Sequence, residues 1–101
     1  MAFKTATVSV NGDVYHLREL SAGAVECVEE TQSEYRQALT MLALSLCDES
    51  GVPLFEPEPE TVPNALKYVR VLPASLIRDH LLPAATELNG GGEGLDNARG
   101  N

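Results

Sequence analysis

Few side chains in this sequence are of the types that do chemistry: Cys27 and Cys47 as nucleophiles, His16 and His80 as proton carriers, and a scatter of carboxylates. A nucleophile works when a base lies within hydrogen-bond reach, and an acid and base pair needs surroundings that separate the two pKa values. Neither condition is visible in the spacing. His16 falls opposite Thr7 in a strand-like stretch, His80 sits beside Asp79 in an apolar helical pattern, and pairing Cys27 with either would need a tertiary coincidence. Both histidines read as packed or surface groups. Structural zinc takes closely spaced Cys and His ligands, and positions 16, 27, 47 and 80 offer no such spacing. Asp48 opens an acidic loop that invites comparison with a calcium site, but Val52 and Pro53 stand where oxygen ligands belong. Asn89-Gly90-Gly91-Gly92-Glu93 lacks the lysine and the following helix of a phosphate cradle. No catalytic residue, metal or cofactor is expected, and the chain does not read as an enzyme.

The elements that would position these groups are easier to read. Ala6, Val8 and Val10 alternate with polar neighbours up to Asn11-Gly12, a type I′ hairpin signal. A two-residue loop pairs Val10 with Asp13, Val8 with Tyr15 and Ala6 with Leu17 on the core side, and sets Thr7 against His16 and Phe3 against Leu20 on the other. Ser21 is an N-cap candidate, with Glu26, Glu29 and Glu30 in the early turns of a helix over about 22–47. Its stripe is Val25, Val28, Gln32, Tyr35, Leu39, Leu42 and Leu46, and a break near Thr31 to Ser33 would divide it. Met41, Ala43 and Leu44 lie off that stripe, so the second half is apolar nearly all round and belongs either at the centre of the fold or under a partner.

Gly51 reads as the end of that helix, Val52 to Phe55 as too Pro-marked for a central strand, and Glu56-Pro57-Glu58-Pro59-Glu60 as an extended surface loop. Thr61 can cap a short helix with Pro63 in its first turn and Ala65, Leu66, Val69 and Leu72 inward. A last helix spans Ala74 to about Leu88, with Leu76, Ile77, His80, Leu81, Ala84 and Leu88 inward, and Pro83 should kink or divide it. The fold class is thus α+β, mainly α. A β-hairpin is followed by a small bundle of three to four helices in one domain over 1–89, with a flexible Gly-rich tail over 90–101, of which deleting Gly91 to Asn101 should change stability by less than about 0.5 kcal/mol.

Composition limits the functions open to such a domain. With 101 residues a two-domain enzyme is excluded, and 44% hydrophobic residues suffice for a folded body. Seven Lys and Arg against 15 Asp and Glu give a net charge of −8, which repels phosphate backbones and anionic membranes. No apolar run is long enough for a membrane span, and Met1 to Thr7 lacks the basic start and apolar block of a signal peptide. A cytoplasmic protein that binds neither nucleic acid nor membrane is expected, its two cysteines packed as free thiols.

The order of the pieces resembles a known family. A hairpin running into Leu17-Arg18-Glu19-Leu20-Ser21, then an apolar helix ending Leu44-Ser45-Leu46-Cys47-Asp48-Glu49-Ser50-Gly51-Val52-Pro53-Leu54-Phe55, then the close at Leu88-Asn89-Gly90, is similar to the tail assembly chaperones of long-tailed bacteriophages. The similarity covers roughly residues 6 to 90, and its motifs are structural. It implies a small protein of the host bacterial cytoplasm that coats the tape measure protein, helps tail tube protein polymerise around it and is absent from the virion. It also implies a second, longer product made by frameshifting near Gly90 to Glu93. Met41, Leu44, Leu54 and Phe55 are the candidate protein-binding residues, and a homo-oligomer is expected. Two rival readings are a virion structural subunit of tail or head completion, which needs more sheet than one hairpin, and an acidic inhibitor or DNA mimic. The mimic needs carboxylates spaced like phosphates, whereas the acidic residues form one Pro-rich loop and one helix start.

Overall fold

The computed structural model describes residues 3–90. Thr5–Val10 (β1) and Asp13–Arg18 (β2) pair antiparallel in the register that the alternation predicts, Val10 opposite Asp13, Val8 opposite Tyr15, Ala6 opposite Leu17 and Thr7 opposite His16. Asn11 (φ 52°) and Gly12 (φ 89°) both take left-handed backbone, as a type I′ turn requires. Leu17 is fully buried and Val8, Val10 and Tyr15 pack against the core, so the predicted face is the inner one.

The long helix is two helices and a strand. Ala22–Glu29 (α1) is capped by Ser21, whose hydroxyl accepts from the Ala24 N–H at 3.3 Å. The chain then turns, because the Thr31 hydroxyl donates to the Cys27 carbonyl (3.1 Å) and the Gln37 side chain donates to the Thr31 carbonyl (2.8 Å). Ser33 caps a fresh start, Glu34–Ser45 (α2), by accepting from the Arg36 N–H. The turn resets the helical phase. Gln32 and Tyr35, expected on the buried stripe, therefore face outward, and Tyr35 is 69% exposed. Glu29 and Glu30 likewise fall at the C-terminal end of α1 and not in its early turns. After Ser45 the backbone extends, and Leu46–Cys47 (β3) pairs with β2, Leu46 opposite Leu17 and Cys47 opposite His16. The sheet order is β1-β2-β3.

Every residue from Leu39 to Cys47 is buried, which places the all-round apolar half of α2 at the centre of the fold. Val62–Arg70 (α3) turns Ala65, Leu66 and Val69 inward; Pro63 lies in its first turn, while Thr61 makes no side-chain cap. The final helix, α4, consists of Ala74–Leu76, a π-helical turn Ile77–Leu81 and Leu82–Leu88. Pro83 leaves the chain helical but distorts it, with the π-helical turn falling just before the proline. A proline lacks an N–H and crowds the carbonyl one turn back, and the wider turn, in which the Leu82 N–H reaches the Ile77 carbonyl, absorbs that misfit. The same turn rotates His80, expected inward, to the surface, and buries Ala85 more deeply than Ala84.

Asn89 closes the domain by accepting from the Leu20 N–H (2.8 Å) and donating to the Ser45 hydroxyl (3.3 Å) and the Ala85 carbonyl (2.8 Å). Among the described residues no helix is long and apolar enough to cross a membrane. Residues 91–101, most of the tail assigned from composition, lie outside the described residues, as does most of the segment tied to frameshifting.

Candidate functional site

Of the groups capable of chemistry, His16 and Cys47 come together. Thr7, His16 and Cys47 form a row across the three strands on the outer face of the sheet, with Thr7 Oγ1 and His16 Nδ1 at 3.5 Å. The fold therefore sets Cys47, and not Cys27, beside a histidine. Burial, followed by the Asp48 carboxylate, raises the Cys47 thiol above its ordinary value, with Arg18 opposing. Cys27 is raised by burial first and then by Glu30, Glu26, Glu60 and Glu58. Both are buried free thiols held protonated, the reverse of an activated nucleophile. His80 lies on the surface, and the neighbouring Asp79 is taken up by Arg78 at 3.1 Å, a hydrogen bond that holds its carboxyl below the usual range.

The loop carrying the family resemblance is a tight return at the sheet edge. Asp48 Oδ1 accepts from the N–H groups of Ser50 (2.8 Å) and Val52 (3.0 Å), Gly51 takes φ 84°, and the Asp48 N–H donates to the Val52 carbonyl at 2.9 Å. The Leu54 N–H then donates to the Leu46 carbonyl, and Pro53 bridges Cys47. Gly51 thus turns a strand back and does not terminate a helix. Arg18 braces the return, donating to the Gly51 carbonyl (3.4 Å) while its guanidinium stacks 3.8 Å over the Phe3 ring.

The four candidate protein-binding residues divide. Leu54 is 45% exposed, and Phe55 is half-buried against the core with its ring edge-on to Tyr68 at 5.7 Å. Met41 and Leu44, at 5% and 6% exposure, are spent on the chain's own core, because α1, α3 and α4 close around α2. Sequence periodicity marks such a helix as covered without saying by what.

Met41 also reaches the floor of an open-sided cleft of about 220 Å3, which the sequence did not reveal. Val25 and Val28 of α1 face Ala38 and Met41 of α2 across it, with Glu29 and Glu34 at its mouth. The cleft exists because α1 and α2 diverge at the 30–33 turn, and no periodic signal encodes that angle. Its surroundings are strongly acidic. Glu29 and Glu30 add their charge to the negative end of the α1 dipole. The 56–60 loop folds back so that Pro57 packs on Gly23, and Glu58 and Glu60 join Glu26 and Glu30 in acting on Cys27. Two acidic clusters distant in sequence are one in space. The outer face of α3 has the opposite character, with Lys67 and Arg70 beside Tyr68 and the highly exposed Val71. No family model matches the chain, and no curated protein or solved structure does.

Proposed function

We propose that the chain is a tail assembly chaperone of a long-tailed bacteriophage. In this reading it works as a homo-oligomer in the host bacterial cytoplasm, binds the tape measure protein and assists tail tube polymerisation. The observation that carries the reading is the return over 47–55, which holds the most telling residues of the resemblance and leaves Leu54 exposed, next in the chain to Phe55, whose ring meets Tyr68. A client whose apolar stripes wait for a tube to enclose them needs apolar surface from its chaperone, and a turn fixed by its own hydrogen bonds offers that surface with little ordering cost. The −8 charge suits the role, since it favours solubility and disfavours phosphate backbones.

The test is co-expression with the tape measure protein encoded in the same genome, followed by fractionation and by mass spectrometry of purified virions. The tape measure should stay soluble with the chain and precipitate without it. Leu54→Asp, a surface change, should abolish the rescue while leaving the fold intact, and the chain should be missing from virions. A tape measure equally insoluble in its presence removes the proposal. A stoichiometric place in the virion replaces it with that of a structural subunit.

A further inference from the structure

We infer that the chain associates head to tail, the outer face of α3 from one copy seating in the cleft between α1 and α2 of the next. This names the surface behind the self-association in the proposed function and does not depend on the phage assignment. Both halves of the contact are on one molecule. The cleft has an apolar floor of Val25, Val28 and Ala38 under a mouth held by Glu29 and Glu34. Lys67, Val71, Tyr68 and Arg70 recur at helical spacing on the side of α3 opposite the buried Ala65, Leu66 and Val69. An exposed valine at the end of α3, flanked by Lys67 and Arg70 on one side and by Tyr68 on the other, therefore meets an apolar pocket between two carboxylates.

Val71 is the most exposed of the large hydrophobic side chains among the described residues, at 82%, and none of those residues covers it. One of the two carboxylates is placed at a cost, because Glu29, with Glu30 next to it, crowds the C-terminal end of α1, where the helix dipole disfavours negative charge, whereas Glu34 sits in the favoured first turn of α2. Such a local conflict is the mark of a site selected for something other than stability. An incoming Lys67 and Arg70 relieve it. The same cations also answer the objection that two copies of charge −8 repel, because the local field at the contact is attractive while the net repulsion is long-ranged and screened beyond about 8 Å at physiological salt. Since the two surfaces differ, the contact is heterologous and builds rings or open filaments and not a closed two-fold dimer.

Reciprocal charge reversal tests this. Glu29, Glu34, Lys67 and Arg70 are all exposed, so their substitution should leave the fold unchanged by circular dichroism. In sedimentation velocity the unmodified chain should grow in mass with concentration. The double variants Glu29→Lys with Glu34→Lys, and Lys67→Glu with Arg70→Glu, should each be monomeric, with association weakened by about tenfold or more. Mixed one to one, they should assemble again, because each then offers the other a complementary cleft and helix. Ala38→Leu, which fills the cleft without touching a charge, should also give monomers. If the chain is monomeric at high concentration, both this interface and the self-association fall, while tape measure binding stands on its own test. If it assembles but ignores the reversals, or the mixture stays monomeric, this interface alone is wrong.

Discussion

Asn89 shows how much one side chain can hold when its partners come from three elements. Its amide joins the Leu20 N–H at the hairpin exit, the Ser45 hydroxyl at the end of α2 and the Ala85 carbonyl one turn earlier. Asn89→Ala should cost about 2 kcal/mol in urea unfolding, since a backbone N–H and a fully buried hydroxyl lose their partner together. Thr40 presents the opposite case. Its hydroxyl is buried in α2 with no hydrogen-bond partner among the described residues, so Thr40→Val, which keeps the shape and the β-branch, should stabilise by about 1 kcal/mol. A loss instead would mean that the hydroxyl is bonded after all. Neither residue advertised itself in the sequence. Asn89 reads only as a helix-closing residue, because its partners at positions 20 and 45 are brought to it by packing, which no local pattern records.

At the scale of elements, what was legible followed from local backbone chemistry. Asn11-Gly12 dictates a turn whose geometry sets the whole register of β1 and β2, and Ser21 and Pro63 mark helix starts wherever the chain goes next. What was not legible depends on competition between elements. Leu46 and Cys47 continue an apolar helical pattern, yet they leave the helix because β2 offers unpaired backbone groups beside them, and that offer exists only once the hairpin has docked. Of the candidate interface, the residue types at Leu54 and Phe55 could be named in advance, whereas the cleft and its acidic mouth depend on the angle at the 30–33 turn and could not. The central position of α2 carries its own prediction. Leu44→Glu would place a carboxylate in the core with no cation to meet it, at a cost of roughly 3 kcal/mol or more, a large part of the stability of a domain this small. Circular dichroism should show an unfolded or molten chain. A folded, soluble monomer would instead show that Leu44 serves an interface between copies.

For the molecule as a whole, charge is the dominant imbalance. Among the described residues the one ion pair is the exposed Arg78–Asp79, which adds little stability, while carboxylates from α1 and from the 56–60 loop converge near Cys27. The same convergence sets how stability depends on pH. Cys27 is raised above the ordinary thiol value of 9.0 by burial and then by Glu30, Glu26, Glu60 and Glu58, and Cys47 by burial and then by Asp48 against Arg18. A group whose pKa is higher folded than unfolded keeps its full contribution below the unfolded value. Above it, the unfolded thiol ionises while the folded one stays protonated, so stability falls as pH rises through the folded value. Urea midpoints should therefore be insensitive to the thiols up to about pH 9 and then decline, by up to roughly 1.4 kcal/mol per pH unit for each thiol. Replacing both cysteines by alanine should flatten that decline, whatever it does to stability at neutral pH. Parallel curves for the two proteins between pH 9 and 10.5 would mean that the thiols titrate alike folded and unfolded, and that the acidic field around Cys27 is already screened by solvent.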